Sequence, residues 1–178
     1  MFLQPAVFID RDGTLIEDVH YCKDPALVRP FPGVVEALRQ LKDAGFRNVI
    51  ITNQSAIGRG LMTLADYEAV HARTVELIGA DLFDATYYCA DTPDLPSTHR
   101  KPSPGMVLDA AREQGIDLAR SWFIGDKAID VQCGHAAGTR SILVLTGRGT
   151  AADGAEAEFV ARDLAEAVAF ILGKSDAS

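Results

Sequence analysis

Two aspartates separated by one residue, Asp10 and Asp12, follow a short apolar run near the start of the chain. In an extended segment residues two apart point to the same side, so both carboxylates are predicted to face one crevice while Arg11 points elsewhere. Neighbouring carboxylates repel each other unless a cation or a shared proton compensates them. The pair therefore indicates a metal site or a division of acid and base roles, although the string Asp-x-Asp-Gly-Thr also suits a surface turn.

A second group of polar residues follows the next β-rich run. Thr52, Asn53 and Gln54 end that run. They lead into a glycine-containing loop from Ser55 to Gly60 that carries Arg59. Hydroxyl, amide and backbone N–H donors suit a phosphate or another oxyanion, but a Thr-Asn pair is also common in turns.

Two later clusters carry charge. Arg100 and Lys101 precede a helix start, where cations add to a site that already favours anions. Asp126 and Lys127 follow a further apolar run. Asp130 lies four residues after Asp126, which would put both carboxylates on one helical face if a helix begins immediately.

The elements that must position these clusters alternate along the chain. Apolar runs predict strands at 6–9, 48–52, 85–89, 122–124 and 141–145, and a short segment at 158–161. Amphipathic spacing predicts helices at 34–45, 63–78, 104–115, 129–137 and 164–172. This alternation predicts an α/β fold, a three-layer Rossmann-like parallel sheet with helices on both faces and ligands beyond the carboxyl ends of the strands.

Length and composition limit the remaining possibilities. The chain has 178 residues, 48% of them apolar, and a net charge of −8. We therefore expect one domain over residues 1–178, with residues 14–32 as a flap beside the site and no large cap domain. Without a basic run, nucleic acid and membrane are not expected partners. Three scattered cysteines and no targeting pattern predict a cytoplasmic protein, for which we expect a monomer.

Taken together, the clusters resemble a known family. In order, Asp10-x-Asp12-Gly-Thr, Thr52, Lys101 and Gly-Asp126-x3-Asp130 resemble the four motifs of the haloacid dehalogenase-like (HAD) phosphohydrolases. The longer strings at 10–15, 52–60 and 100–106 are similar to those of D-glycero-D-manno-heptose 1,7-bisphosphate phosphatases and the related histidinol-phosphate phosphatases. The resemblance implies a HAD-like fold without a large cap.

The chemistry implied by this resemblance is Mg²⁺-dependent hydrolysis of a small phosphorylated metabolite in carbohydrate metabolism. Asp10 would attack phosphorus to form an aspartyl-phosphate, and Asp12 would protonate the leaving oxygen and then activate water. The Asp10 carboxylate, the Asp12 carbonyl and Asp126 would hold the metal, and Asp130 would orient the loop behind them.

The resemblance also implies substrate contacts. Thr52, Asn53 and Lys101 would bind the transferring phosphoryl group, and Arg100 and Lys127 would add positive charge. The remaining candidates for substrate binding are Asp18, His20, Tyr21, Gln54, Ser55 and Arg59.

One loop departs from this subfamily, whose members carry a zinc loop with Cys-x-His and Cys-x-Cys pairs before the Arg-Lys-Pro string. This chain retains Cys89, with Asp91 and His99 nearby. Because structural zinc favours four Cys or His ligands, we do not expect zinc, and whether these three residues bind any metal stays open.

Two alternatives to the heptose bisphosphatase interpretation remain. Within the enzymes, the chain could be a histidinol-phosphate phosphatase or act on another small metabolite. In a different class, a non-catalytic phospho-acceptor or binding module could use the same aspartates, threonine and lysine. The second aspartate, Asp12, favours an enzyme, because an acceptor needs no acid or base for a leaving alcohol.

Overall fold

A sheet of six parallel strands forms the centre of the computed structural model, which describes residues 3–175. The strands are β1 (Ala6–Ile9), β2 (Arg47–Asn53), β3 (Ala85–Cys89), β4 (Trp122–Gly125), β5 (Arg140–Val144) and β6 (Phe159–Ala161). They lie in the order β3-β2-β1-β4-β5-β6, and each neighbouring pair is parallel. The predicted α/β, Rossmann-like fold is confirmed.

Helices cover both faces of this sheet, as expected for continuous apolar strands. They are α1 (Val34–Asp43), α2 (Ser55–Gly58), α3 (Leu64–Ile78), α4 (Gly105–Gln114), α5 (Ala128–Ala137) and α6 (Leu164–Ser175). Alternate residues of β1 enter different cores: Val7 and Ile9 pack with α1 and α6, whereas Ala6 and Phe8 pack with α4 and α5. The two cores produce the three layers.

The register of the central strands brings the polar clusters to one edge. Ile9 of β1 pairs with Ile50 of β2 on one side and with Ile124 of β4 on the other. The next residue, Asp10, donates its backbone N–H to the Ile124 carbonyl at 2.9 Å. Residues that follow β1, β2 and β4 therefore share one crevice, as the sequence predicts.

Two local predictions need correction. The segment from Ser55, predicted to be a loop, contains the single helical turn α2. Helix α5 starts at Ala128 and not directly after Asp126, because Lys127 is extended and donates its backbone N–H to Asp130 Oδ2 at 3.1 Å. Asp126 thus precedes the helix while Asp130 lies in its first turn, so the two do not share a helical face.

Residues 14–32 cross the carboxyl edge of the sheet as an irregular loop with one 3₁₀ turn at Pro25–Leu27. Both ends of this segment are anchored, since Leu15, Ile16 and Val28 are buried in the core. Its middle stands over the crevice. Within residues 3–175, none of the helices is both long enough and apolar enough to cross a bilayer.

Candidate active site

Three buried carboxylates meet where β1 and β4 end. Asp10, Asp126 and Asp130 each place an oxygen within 4.8 Å of the others, and none is more than 5% exposed. Asp126 Oδ2 accepts the backbone N–H of Arg148 at 2.9 Å, but Asp126 Oδ1 has no hydrogen-bond partner. Burial, and then the adjacent Asp10 carboxylate, raises the pKa of Asp126 to about 7. The site is short of positive charge.

Lys101 supplies part of that charge. Its ammonium lies 2.7 Å from Asp10 Oδ1 and 2.7 Å from Asp130 Oδ1. Burial alone would lower the pKa of Lys101, but these two carboxylates outweigh it and raise the pKa. Lys101 is therefore a buried cation, and together with Asp10, Asp126 and Asp130 it makes up what we call the carboxylate–lysine centre.

The carboxylate–lysine centre fits a small divalent cation. Three carboxylates are close together, Lys101 neutralises part of their charge, and Lys127 Nζ is 3.9 Å from Asp126 Oδ1. The unpartnered Asp126 oxygen is a buried, hard ligand of the kind that Mg²⁺ prefers. In the part of the chain that the structure describes, Asp10, Asp126 and Asp130 form the group of three or more His, Cys, Asp or Glu side chains that lie close enough together to hold a metal ion.

Asn53 fixes the backbone that carries Lys101. Its side-chain amide donates to the Lys101 carbonyl at 3.1 Å and accepts the Lys101 N–H at 3.0 Å. The amide predicted to bind phosphate thus makes a reciprocal contact with the Lys101 backbone. Its contribution is to hold the lysine over the ends of β1 and β2.

Arg11 does not point away from the crevice as the strand alternation predicts. Its Nε and Nη2 atoms lie 3.1 and 3.0 Å from Asp12 Oδ2, and its guanidinium carbon stands 5.2 Å from the centre of the Tyr67 ring. Arg11 is only 2% exposed. A buried guanidinium requires a counter-ion, and the adjacent Asp12 carboxylate provides it.

Gln54 joins Asp12 to Thr52. Its amide nitrogen donates to Asp12 Oδ2 and to Thr52 Oγ1, in both cases at 2.9 Å. These contacts leave the Thr52 hydroxyl proton free to point elsewhere. A cavity of about 50 Å³ lies beside them, lined by Asp10, Asp12, Thr52, Asn53, Lys101, Lys127, Ile129 and Asp130.

A second space, which we call the flap cavity, opens beneath residues 14–32 and measures about 150 Å³. Its lining includes predicted substrate-binding residues from three places in the chain: Asp18, His20, Tyr21, Asn53, Gln54, Ser55 and Lys127. Asp18 Oδ2 lies 2.9 Å from Arg148 Nε and 3.8 Å from Lys127 Nζ. Ion pairs therefore link Asp18 of the flap to Lys127, which follows Asp126, and to Arg148, whose backbone N–H binds Asp126.

Arg100 and Arg59 occupy different positions. Arg100 lines a third cavity of about 310 Å³ that adjoins Lys101, and it donates to the Asp91 carbonyl at 3.1 Å. Arg59 is exposed at the end of α2 and lines none of these three cavities. The structure thus brings the predicted site residues to one crevice except Arg100, which lines the adjoining third cavity, and Arg59.

The three residues of the possible second metal site have other partners. Ser97 donates to Asp91 and lies 3.9 Å from Cys89 Sγ. His99 Nε2 is 2.9 Å from Asp109 Oδ2. Cys89, Asp91 and His99 do not converge on a common point.

The loop after β5 is a part of the site that sequence reasoning missed. Asp126 packs so closely on it that a Cβ at Gly147 would lie 2.0 Å from Asp126 Oδ2. Thr146 Oγ1 donates to the Gly13 carbonyl at 2.7 Å, and the Arg148 backbone binds Asp126. The available signal was the string Thr-Gly-Arg-Gly-Thr directly after a predicted strand.

Comparison with known proteins agrees with this geometry. Residues 98–167 match the HAD-hydrolase-like family model. A D-glycero-D-manno-heptose-1,7-bisphosphate 7-phosphatase of Thermosynechococcus vestitus is 36% identical, and the alignment covers 94% of this chain and 95% of the relative. A D-glycero-beta-D-manno-heptose-1,7-bisphosphate 7-phosphatase of Yersinia pestis is 39% identical, and the alignment covers 91% of this chain and 92% of the relative.

A solved structure shares the fold over nearly the whole chain. It is the D,D-heptose 1,7-bisphosphate phosphatase from B. bronchiseptica, complexed with magnesium and phosphate. The TM-score is 0.86 at 34% identity, and the match covers 96% of this chain and 99% of the other. With its sequence relatives and its buried carboxylate–lysine centre, the chain belongs to the heptose 1,7-bisphosphate phosphatase family of HAD-like hydrolases.

Proposed function

We propose that this protein is a Mg²⁺-dependent phosphoric monoester hydrolase that removes the 7-phosphate of D-glycero-D-manno-heptose 1,7-bisphosphate. The observation that carries the proposal is the carboxylate–lysine centre at the ends of the central strands. Relatives that are 36% and 39% identical over most of the chain are named for this reaction. Phosphate esters hydrolyse so slowly without catalysis that a nucleophile, charge neutralisation and proton transfer are all needed.

In the first half of the reaction, an Asp10 oxygen attacks phosphorus. A bond forms between Asp10 and phosphorus, the ester P–O bond breaks, and the leaving alcohol takes a proton from Asp12. The backbone of Lys101 is held by Asn53, and its ammonium lies beside Asp10. There it would offset the negative charge of the phosphoryl group. The Thr52 hydroxyl lies on the cavity wall, where it can donate to a phosphoryl oxygen.

In the second half, water hydrolyses the aspartyl-phosphate. Asp12, now a carboxylate, takes a proton from the attacking water, the Asp10–phosphorus bond breaks, and phosphate leaves. Asp10 and Asp12 return to their initial states, so the sum is ester plus water giving alcohol plus phosphate.

Mg²⁺ would be held by the Asp10 carboxylate, the Asp12 carbonyl and Asp126, with Asp130 orienting the loop behind them. When bound it supplies a Lewis acid that neutralises phosphoryl charge. We propose that zinc is not required, since Cys89 and Asp91 both contact the Ser97 hydroxyl while His99 pairs with Asp109, and the three side chains do not converge on one point.

We assign recognition of the rest of the substrate to the flap cavity and to the cavity beside Arg100. Asp18, His20, Tyr21 and Ser55 would face sugar hydroxyls, while Arg100 and Lys127 would offset phosphate charge. Gln54 acts here through Asp12 and Thr52. We further propose a cytoplasmic monomer that does not bind nucleic acid.

The deciding experiment measures inorganic phosphate release from both anomers of heptose 1,7-bisphosphate and from histidinol phosphate, each with Mg²⁺. We expect multiple turnovers and the highest kcat/KM for the heptose. A higher kcat/KM for histidinol phosphate would contradict the substrate assignment.

The same experiment tests the non-catalytic alternative. One phosphoryl group retained per chain, without further phosphate release, would indicate a phospho-acceptor and contradict the enzyme. Metal analysis of the purified, active protein tests the zinc proposal, since stoichiometric zinc would refute it.

A further inference from the structure

Asp12 is more tightly held than the acid and base chemistry alone explains. Its Oδ2 atom accepts from Arg11 Nε, Arg11 Nη2 and Gln54 Nε2 at 3.1, 3.0 and 2.9 Å. Its Oδ1 atom accepts only from Arg11 Nη2, at 3.1 Å. A carboxylate oxygen has about two lone pairs for hydrogen bonds, so Oδ2 is fully occupied and Oδ1 keeps one free site.

Both partners of Asp12 are themselves fixed. Gln54 is 6% exposed, and its backbone N–H donates to the Cys89 carbonyl at 2.7 Å, which anchors it to the end of β3. Arg11 is 2% exposed and lies against the Tyr67 ring. Rotation of the carboxyl group would break its contacts with these two buried side chains, so Asp12 is held from two sides.

We propose that Gln54, assisted by Arg11, is a positioning residue that fixes the Asp12 carboxyl group and leaves Oδ1 as the atom that carries the proton. This inference rests on the proposed phosphatase function. Because Gln54 donates to Asp12 and Thr52 at equal distances, it also sets the spacing between the proton donor and a phosphoryl-binding hydroxyl. An acid that is displaced by about 1 Å loses much of its effect.

The role can be tested through the leaving group. Proton donation matters for an alkyl alcohol, which leaves poorly as an alkoxide, and matters little for p-nitrophenol, which leaves readily as an anion. The kcat/KM of a double-displacement phosphatase covers only steps up to transfer to Asp10. Comparing kcat/KM for a sugar phosphate and for p-nitrophenyl phosphate therefore isolates the proton donor from phosphoryl binding.

We expect Gln54→Leu, which keeps the size but removes both N–H donors, to lower kcat/KM about 100-fold for the sugar phosphate. For p-nitrophenyl phosphate we expect a loss of less than about fivefold. Thr52→Val is the comparison variant and should lower kcat/KM equally for both esters. Gln40→Leu, at an exposed position on α1, is the matched control and should change neither.

The outcomes separate the inference from the function on which it rests. Equal losses for both esters with Gln54→Leu would show that the residue acts through phosphoryl binding and would overturn the positioning role. Turnover of neither ester by the wild-type protein would overturn the proposed function and the inference with it. If Gln54→Leu does not fold, Gln54→Asn replaces it, because the shorter side chain cannot reach both acceptors. The same comparison of kcat/KM for the sugar phosphate and for p-nitrophenyl phosphate then applies.

Discussion

The carboxylate–lysine centre and the flap cavity are neighbours built in different ways. In the centre, Asp10, Lys101, Asp126 and Asp130 are at most 5% exposed. Asp10 and Asp126 directly follow β1 and β4, and Asp130 lies in the first turn of α5. Lys101 lies before α4 on a segment whose backbone Asn53 holds. The flap residues Asp18, His20 and Tyr21 are partly or fully exposed and lie on a loop.

Rigid, buried charge suits chemistry that is common to all phosphate esters, whereas an exposed loop suits discrimination among them. Variants in the centre should therefore affect every substrate, and variants in the flap should affect only some.

Replacement of the nucleophile should have the largest effect. Asp10→Asn keeps the side-chain shape but removes the attacking carboxylate, so we expect kcat to fall by roughly 10⁴-fold or more for every ester. Phosphate release from the heptose bisphosphate and from p-nitrophenyl phosphate measures it. Asp43→Asn, at an exposed position on α1, should retain full activity. Residual turnover above a few per cent of wild type, on either ester, would exclude Asp10 as the nucleophile.

Removal of the buried cation should cost stability as well as activity. In Lys101→Met the Asp10 and Asp130 carboxylates face each other without compensation, so we expect the free energy of unfolding to fall by about 3–5 kcal/mol. Urea denaturation in Mg²⁺-free buffer measures this. Lys42→Met, which breaks a partly exposed ion pair with Asp84, should cost about 1 kcal/mol or less. Equal decreases in the free energy of unfolding would mean that the buried ion pairs of Lys101 stabilise the protein no more than the partly exposed pair of Lys42.

The third prediction concerns the metal. Asp126→Asn replaces a buried ligand by a neutral amide, so the Mg²⁺ concentration needed for half-maximal activity should rise roughly 10–100-fold. Kinetic titration with Mg²⁺ measures it, and Asp43→Asn is again the control. An unchanged requirement would remove Asp126 from the ligand set.

The same variant gives a pH prediction for the metal-free protein. Burial and the adjacent Asp10 raise the pKa of Asp126 from the ordinary 3.8 to about 7, so between these values the folded state binds more protons than the unfolded state. Stability from this group must then fall as pH rises from about 4 to 7. In buffer with EDTA, the Tm of the wild-type protein should fall relative to that of Asp126→Asn as the pH rises across that range. A constant difference between the two would contradict the raised pKa.

How much of this could be read from the sequence depends on the distance over which each contact acts. The strand ends and the spacing of Asp10, Asp12 and Asp126 follow from local patterns, and the fold confirms their common edge. Alternation along a strand fixes only the direction of a Cβ atom, so it could not foresee that the long Arg11 side chain folds back onto Asp12.

Other features depend on contacts that no local pattern contains. Arg148 binds Asp126 from a loop 22 residues further along the chain, and a Thr-Gly-Arg-Gly-Thr string does not reveal its partner. The start of α5 depends on Asp130 accepting the Lys127 N–H, which holds Lys127 extended. Gln54 is a polar residue at a strand end. That pattern indicates a contact with a ligand just as well as it indicates the contacts with Asp12 and Thr52 that Gln54 makes.

The smallest expected effect lies in the flap. Tyr21 lines the flap cavity and has a φ of 54°, a left-handed conformation that costs a non-glycine residue about 1 kcal/mol or more. Tyr21→Gly and Tyr21→Ala both remove the ring, so both should raise KM for the heptose several-fold and leave kcat with p-nitrophenyl phosphate unchanged. Only Tyr21→Gly relieves the backbone, so it should be about 1 kcal/mol more stable than Tyr21→Ala in urea denaturation. A loss of kcat on both esters would show that the flap takes part in the common chemistry, and the division between the two regions would fail.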